Sequence, residues 1–242
     1  MKQITHGSLF SGIGGFDLAA KWCNWQNVFH CEIEEYQRSI LHKHFPDAIT
    51  YTDIYKLDGT KHKHSIDVIS GGFPCQRYST AGKQMGDEPL KAELLRVIRE
   101  IEPKVAVIEN VLGFISPRFA EEHNRLCFDL ESMGYEVQTF DIDAASCGLP
   151  TLERHVWIVA TNMQIKRERG VFVQDKDAKL HGQLSRDYKG EYDRWSTPES
   201  RLLRVGEGVS RRLDRLRVAA IGNAIPPQVA YYLFKHIELT LL

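Results

Sequence analysis

The chain has 242 residues, of which 43% are hydrophobic and 26% are charged, with 31 Lys plus Arg against 32 Asp plus Glu. This composition is typical of one substantial globular domain, and it excludes collagen, a coiled coil and a disordered chain. No apolar run reaches the roughly 20 residues of a membrane span, and residues 1–7 lack the apolar stretch of a secretion signal. The balanced charge also argues against a nucleic-acid partner, because phosphate binding needs Lys and Arg.

Strand-like and helix-like segments alternate through the first two thirds of the chain. Strand patterns cover residues 4–10, 27–31, 65–70, 105–108, 135–142 and 156–161. Helical patterns cover residues 16–22, 34–44, 90–101 and 118–133. This alternation predicts an α/β domain whose parallel sheet is covered by helices on both faces. Ligands of such sheets bind at the carboxyl ends of the strands, where the glycine-rich and acidic residues of this chain fall.

The periodic pattern stops near residue 162, and residues 222–242 return to a helical pattern. The sequence between these two points is polar, charged and weakly periodic. We therefore predict a core domain of residues 1–161 and a small insert of residues 162–205. A C-terminal segment of residues 206–242 is expected to return to the core domain.

A glycine-rich turn, Phe10-Ser11-Gly12-Ile13-Gly14-Gly15, lies between the first strand and the first helix. Such a turn lets a ligand approach the backbone closely, although the third, spaced glycine of a dinucleotide fingerprint is missing. Glu32 ends the next strand, where an acid often binds ribose hydroxyls. Asp53 follows another strand-like segment and is suited to accept from an adenine amino group. These residues predict an adenosine-containing cofactor, and a purely structural turn is the alternative.

Cys75 lies in the loop Gly71-Gly72-Phe73-Pro74-Cys75-Gln76, at the end of a buried strand. A thiolate in this position is a candidate nucleophile, and a buried small hydrophobe is the alternative. The other cysteines are predicted to be packing residues: Cys23, Cys31, Cys127 and Cys147. An odd number of cysteines without metal-type spacing indicates reduced thiols, a cytoplasmic protein and no metal site.

Two further motifs complete the candidate site. Glu109 and Asn110 follow the strand at residues 105–108, where a carboxylic acid is suited to give a proton to a ring nitrogen. A helix-capping role for Asn110 is the alternative. Gly222-Asn223, followed by Pro226-Pro227, is typical of a helix start.

The order of these motifs resembles the DNA cytosine-5 methyltransferase family over residues 5–161 and about 201–240. The resemblance implies a Rossmann-like fold that binds S-adenosylmethionine and carries a very small target-recognition insert. It also implies methyl transfer to carbon 5 of a cytosine that is flipped out of duplex DNA. By resemblance, the cofactor contacts are Phe10, Gly12, Gly14, Glu32, Asp53, Pro74 and Asn223.

The resemblance assigns the chemistry on the target cytosine to Cys75, Glu109 and Arg154. Cys75 matches the nucleophile that adds to carbon 6, and Glu109 matches the acid that contacts ring nitrogen 3 and the exocyclic amine. Residues 76–87 match the loop that closes over the flipped base.

The family's Gln-x-Arg-x-Arg is replaced by Thr-Leu-Glu-Arg-His at residues 151–155. Arg154 is expected to substitute catalytically for the family's arginines, which contact the cytosine and phosphates, and His155 stands at the second arginine's position. A surface salt bridge between Arg154 and Glu153 is the alternative.

The charge is distributed unevenly along the chain. Residues 163–217 contain 14 Lys plus Arg and 9 Asp plus Glu, a net charge of +5, so the remainder carries −6. A basic insert beside an acidic core predicts contact with duplex DNA at one face. An insert this small reaches few base edges, which favours a short or degenerate recognition site of about two to four base pairs.

We expect a monomer without a membrane or metal partner, in a bacterial or phage-infected bacterial cell, with a role in restriction-modification or protection of mobile DNA. Two alternatives remain open. One is a cytosine-5 methyltransferase that acts on RNA with the same site. The other is a catalytically weakened relative that binds DNA, which the altered segment at residues 151–155 keeps open.

Overall fold

The computed structural model describes residues 3–74, 88–149, 153–164, 220–221 and 224–241. In these ranges the strands are β1 Thr5–Leu9, β2 Gln26–Cys31, β3 Ile49–Tyr51, β4 Val68–Gly72, β5 Val105–Val111, β6 Tyr135–Asp143 and β7 Arg154–Asn162. The α-helices are α1 Gly15–Trp22, α2 Glu35–His44, α3 Glu88–Ile101, α4 Ala120–Ser132 and α5 Pro227–Leu241. The predicted strands and helices are therefore confirmed, with shifts of up to three residues at their ends, except that the last helix begins at Pro227, five residues after the predicted start.

The strands form one sheet in the order β3-β2-β1-β4-β5-β7-β6, which confirms the α/β class. Strands β1 to β5 are parallel, but β7 lies between β5 and β6 and is antiparallel to both. The expectation of a wholly parallel sheet is therefore wrong. A parallel crossover needs a dozen or more residues and usually a helix. The link between Asp143 and Arg154 has ten residues, and its described part holds a short 3-10 turn, Ala144–Cys147, so β7 returns antiparallel beside β6.

Side-chain alternation along β5 and β7 divides the core into two layers. Val107 and Trp157 face one layer, where they pack with residues of α1 and α5. Ile108 and Ile158 face the other layer, where they pack with residues of α3 and α4. The register pairs Glu109 with Trp157, so Glu109 lies on the α1 and α5 side of the sheet.

Helix α5 returns the C-terminal segment to the first half of the chain. Phe234 stacks on Trp25 with ring centroids 4.7 Å apart, and it also stacks on Phe16 of α1 at 6.1 Å. Val229 and Leu233 are buried in the same layer. Among the described helices, none is both long and apolar enough to cross a membrane.

A buried polar network links β1, α1 and β2 beneath the glycine-rich turn. The Ser8 hydroxyl lies 2.9 Å from Asp17 Oδ2 and 2.7 Å from the Ser11 hydroxyl, and Ser11 Oγ accepts from the backbone N–H of Cys31 at 3.1 Å. Burial raises the pKa of Asp17 to about 7, although hydrogen bonds from Ser8 lower it. Burial also lowers the pKa of His30 to about 4, so its ring is neutral beside Asp17 at pH 7.

The raised pKa of Asp17 makes the stability of the fold depend on pH. Between about pH 4 and pH 7 the folded state binds more protons at Asp17 than the unfolded state does, so the free energy of unfolding falls as pH rises. Asp17→Asn is expected to remove this fall. The stability of the variant relative to the wild type then rises across this window, by up to about 1.4 kcal/mol per pH unit.

Urea unfolding at several pH values measures this difference. The control is Asp58→Asn: the hydrogen bond from Thr60 lowers the pKa of the exposed Asp58, so its effect on stability changes only below about pH 4, and the relative stability of this variant is expected to stay constant from pH 4.5 to pH 7.5. A relative stability of Asp17→Asn that is the same at pH 4.5 and pH 7.5 would contradict the assignment.

Candidate active site

The glycine-rich turn between β1 and α1 reverses the chain through left-handed backbone conformations. Phe10, Gly12 and Gly14 have φ values of 51°, 55° and 88°. A Cβ on Gly14 would lie 2.7 Å from the ring of Phe45, so close packing against α2 requires glycine there. A Cβ on Gly12 would meet no atom within 4 Å. The backbone at Gly12 is therefore open to a ligand.

Glu32 connects this turn to the end of β2. Its Oε2 accepts from the backbone N–H of Gly12 at 2.7 Å, and its Oε1 accepts from that of Glu34 at 2.9 Å. The residue is 8% exposed, so these charge-assisted bonds hold the carboxylate at the edge of the sheet. Each oxygen retains a lone pair for a further donor.

Asp53 lies beside Glu32 at the end of the neighbouring strand. The backbone N–H of Glu32 donates to the Tyr51 carbonyl at 3.0 Å, which brings the ends of β2 and β3 together. Asp53 caps a 3-10 turn by accepting from the N–H of Tyr55 at 3.0 Å, and Lys56 Nζ lies 3.6 Å from its other oxygen. The structure therefore places both predicted acids at one edge of the sheet.

Ile33 was missed by the sequence analysis. It is a 69% exposed apolar side chain directly after Glu32, at the carboxyl end of β2. An isoleucine that follows directly after a strand-end acid was the available signal. Together with the open backbone at Gly12, these residues fit a ligand with hydroxyl groups and a flat ring, as an adenosine-containing cofactor has.

Glu109 lies inside β5, directly opposite Gly72 of β4. A Cβ on Gly72 would come within 2.5 Å of Glu109 Oε2, so the missing side chain provides the space that the carboxyl occupies. Glu109 is 7% exposed. The sequence placed this residue after its strand, but β5 continues to Val111 because it pairs with β7 over its full length.

Asn110 holds the exit of β4. Its side-chain amide donates to the carbonyl of Phe73 at 3.3 Å, and its Oδ1 accepts from the N–H of Val111 at 2.9 Å. The residue is buried within a strand, so the helix-capping alternative is wrong. The Phe73 ring packs edge-on against Phe114 at 5.5 Å. Phe73, which directly follows β4, is thereby fixed to β5, the strand that carries Glu109.

The partner of Glu109 is His155, not Arg154. Since residues on a strand alternate between its faces, His155 and Trp157 share the face of Glu109, and Arg154 points to the other face. His155 Nδ1 makes a hydrogen-bonded ion pair with Glu109 Oε1. Burial lowers the pKa of His155, but the hydrogen bond and charge of Glu109 outweigh burial and raise it.

Arg154 pairs across the sheet with Asp141 of β6, with its Nε 3.3 Å from Asp141 Oδ1. A salt bridge was the sequence alternative for this residue, but the observed acid is Asp141 and not Glu153. The side chain of Arg154 is 53% exposed. The structure does not bring Arg154 to Glu109, and its catalytic role stays a prediction.

The cysteines predicted to pack in the core are poor nucleophiles. Burial raises the pKa of the Cys23 and Cys31 thiols to about 12 and that of Cys147 to about 11. Cys127 is half-buried, and burial raises its pKa as well. Within the described part of the chain, no cluster of His, Cys, Asp and Glu is arranged to bind a metal.

Several predicted features lie outside the described residues. These are Cys75, Asn223, the loop of residues 76–87 and the insert from residue 165 onward. Pro74 is the last described residue before Cys75, and it is half-buried.

Comparison with known proteins identifies relatives of the chain. The sequence profile described as C-5 cytosine-specific DNA methylase matches residues 4–202. The type II methyltransferase M.PspPI of Psychrobacter sp. is 34% identical over 134 residues, which cover 53% of this chain and 32% of the relative. The type II methylase M.HgiEI of Herpetosiphon aurantiacus is 26% identical over 96% of this chain and 52% of its own. The chain thus spans about a third to a half of these relatives.

Solved structures share the fold. A protein described as a prophage-encoded DNA modification methyltransferase of Escherichia coli matches with a TM-score of 0.60 and 22% identity, over 68% of this chain and 48% of its own. The Spodoptera frugiperda DNMT2 variant structure matches with a TM-score of 0.55 and 22% identity, over 66% of this chain and 50% of its own. This agreement confirms the Rossmann-like methyltransferase fold. Since the family profile covers most of its length, the chain belongs to the C-5 cytosine-specific DNA methylase family.

Proposed function

We propose that this chain transfers a methyl group from S-adenosyl-L-methionine to carbon 5 of cytosine in duplex DNA, through a covalent adduct of Cys75 at carbon 6. The observation that carries the proposal is the placement of Glu109. Gly72 leaves space for its carboxyl, and Asn110 tethers the chain that leads to Cys75 beside it. This placement supports a proton donor at the edge of the sheet that also carries the glycine-rich turn, and we propose that Cys75, which follows Pro74, supplies the nucleophile there.

S-adenosyl-L-methionine is the methyl donor of this family, and it supplies a methyl group on a sulfonium. In the proposal, the turn at Phe10, Gly12 and Gly14 surrounds its methionine part. Glu32 accepts from the ribose hydroxyls and Asp53 from the adenine amine. The exposed face of Ile33 packs against the adenine ring. Pro74 and Asn223 are proposed as further contacts.

In the proposed reaction, the Cys75 thiolate forms a bond to carbon 6, and Glu109 gives a proton to ring nitrogen 3. The electron pair of the ring double bond makes carbon 5 nucleophilic, and carbon 5 then takes the methyl group. Loss of the carbon 5 proton restores the double bond and expels the thiolate. The proton on nitrogen 3 returns to Glu109, so both residues regain their starting states.

The basic region of residues 163–217, with a net charge of +5, supports binding to the DNA backbone. We propose a monomer in the cytoplasm of a bacterial or phage-infected cell. A short recognition site of about two to four base pairs follows from the size of the insert. Bisulfite sequencing of mixed-sequence DNA after reaction with the chain tests this expectation, and a strict site of six or more base pairs would contradict it.

Covalent trapping tests the proposed chemistry. Fluorine at carbon 5 cannot leave as a proton does, so duplex DNA containing 5-fluorocytosine is expected to hold the wild-type chain as a denaturation-resistant adduct. Cys75→Ser is expected to form no adduct. The matched control is Cys127→Ser, which removes a thiol of raised pKa and is expected to trap like the wild type.

Two alternatives are decided in parallel reactions with labelled cofactor. Transfer to tRNA without transfer to duplex DNA would favour an RNA methyltransferase. Binding of DNA without any adduct or transfer would favour a catalytically weakened relative. Methyl transfer by Cys75→Ser at the wild-type rate would show that the mechanism is wrong.

Glu32 is expected to set the affinity for the cofactor. Glu32→Gln removes a charge and turns one acceptor into a donor that faces the N–H of Gly12 or of Glu34. The variant is then expected to lose a hydrogen bond between the Glu32 carboxylate and a ribose hydroxyl. Such a bond to a charged group contributes about 1.5–3 kcal/mol, so its loss raises the dissociation constant of the cofactor roughly 10-fold to 100-fold. Calorimetric titration with S-adenosyl-L-methionine measures the change. The control is Glu102→Gln, a surface carboxylate paired with Lys63, and equal affinities of both variants would contradict the assignment.

A further inference from the structure

We propose that His155 is a positioning residue of the methyl transfer, which holds Glu109 and resupplies the proton that Glu109 gives to ring nitrogen 3. This role rests on the function proposed above. Its consequence is that the reaction slows at alkaline pH, where the histidine becomes neutral.

The register of β5 and β7 creates the pair. Val111 lies opposite His155 and Glu109 lies opposite Trp157, so Glu109 and His155 are diagonal neighbours on one face. Nδ1 of His155 faces Oε1 of Glu109. The side chain of His155 is 19% exposed and that of Glu109 is 10% exposed. Little water screens the pair, so the ion pair is stronger than one on the surface.

Among the described residues, the two charges that act on the pKa of His155 both favour its protonated form. From β5 the charge is Glu109, and Glu153, directly before β7, adds a second carboxylate. From β6 the opposite residue is the uncharged Ile142. The two neighbouring acids of β6 are engaged elsewhere: Asp141 pairs with Arg154, and Asp143 accepts from the N–H groups of Ala145 and Ser146.

A histidine at this place differs physically from the arginine of the family pattern. An arginine stays charged at every pH in which proteins fold, whereas a histidine releases its proton near neutral pH. Glu109 raises the pKa of His155 above its usual value, which moves this release to higher pH without abolishing it.

The proton follows a closed path in the proposed step. The pair begins with one proton, on the imidazolium of His155, beside the carboxylate of Glu109. As the Cys75 thiolate bonds to carbon 6, that proton passes from Nδ1 of His155 through the carboxyl of Glu109 to ring nitrogen 3. When the thiolate leaves, nitrogen 3 returns its proton to Glu109 and Glu109 returns one to His155. The pair ends with the proton with which it began.

The pH dependence has a definite sign. The rate rises with pH as Cys75 becomes a thiolate, and it falls again as His155 loses its proton, which gives a bell-shaped profile. On the alkaline side the rate of the wild type is expected to fall by about tenfold per pH unit. His155→Arg is expected to remove this fall, because the charge beside Glu109 then persists.

The test is the single-turnover rate of methyl transfer to unmethylated, mixed-sequence duplex DNA, at saturating DNA and S-adenosyl-L-methionine, from pH 6 to pH 9.5. Above the pH at which His155 loses its proton, His155→Arg is expected to retain more of its neutral-pH rate than the wild type does, by a factor that grows by about tenfold per pH unit. His155→Gln, which cannot carry the proton, is expected to be slowed at neutral pH and to lack the alkaline fall. The proposal would be overturned if the pH–rate profiles of His155→Arg and His155→Gln had the same shape as the wild-type profile and differed from it only by a constant factor.

The matched control is the surface pair of His64 and Glu102, whose Nε2 and Oε2 lie 3.6 Å apart. His64→Asn is chosen because asparagine tolerates the positive φ of 57° at this position. Its pH profile is expected to equal that of the wild type, and an equal loss of the alkaline fall in His64→Asn would overturn the assignment to His155.

A second measurement keeps the pair testable whatever the catalytic outcome. In an NMR titration of the full chain, the His155 ring is expected to titrate at higher pH in the wild type than in Glu109→Gln, because Glu109 raises its pKa. Equal midpoints would overturn the proposal. A wild-type chain that shows the NMR difference but methylates no DNA would instead refute the proposed function.

Discussion

The two-residue period of β5 and β7 is the constraint on which the candidate site depends. Because side chains alternate between the faces of a sheet, the register decides which residue of β7 meets Glu109. His155 lies on that face, and Arg154 lies on the other, where Asp141 binds it. A shift of one residue would exchange the two and would also force Trp157, which is fully buried, into the opposite core layer, where Val156 and Ile158 pack. Burial of Trp157 therefore stabilises the register that places His155.

The same sheet edge gathers the remaining groups of the candidate site. The glycine-rich turn follows β1, Glu32 follows β2 and Asp53 follows β3, while β4 and β5 bring Gly72 beside Glu109. Small residues are required where backbones or carboxyls approach closely, as at Gly14 and Gly72. The buried network of Asp17, Ser8 and Ser11 supports the turn from below, at a cost in stability that grows with pH. The close-packed glycines and the candidate functional groups thus lie at the same edge of the sheet.

Much of this arrangement is predictable from the sequence, because hydrophobic periodicity marks buried elements and polar residues mark the strand ends. The elements and the acids Glu32 and Asp53 follow from that logic. The antiparallel β7 does not, since helix and strand patterns carry no direction. The role of Asn110 depends on a contact with Phe73, 37 residues earlier, which no local pattern reveals.

The segment at residues 151–155 illustrates the limit of motif matching. The arginines of the family pattern predict a catalytic role for Arg154. The alternation of side chains along β7, counted from Val156 to Ile158, instead places His155 on the face of Glu109. Residue type and facing direction are separate properties, and the sheet selects by direction. The nucleophile Cys75, the cofactor contact Asn223 and the basic insert lie outside the described residues and stay predictions.

The most direct test of the account is a double-mutant cycle between Gly72 and Glu109, measured as the single-turnover rate of methyl transfer. Gly72→Ala places a methyl group where the carboxyl lies, so it is expected to slow the reaction by at least about tenfold, with a coupling of about 1 kcal/mol or more to Glu109. In a Glu109→Asp background, whose shorter side chain leaves room, the same substitution is expected to cost much less. An equal cost of Gly72→Ala in both backgrounds would contradict the placement of the Glu109 carboxyl as the centre of the site.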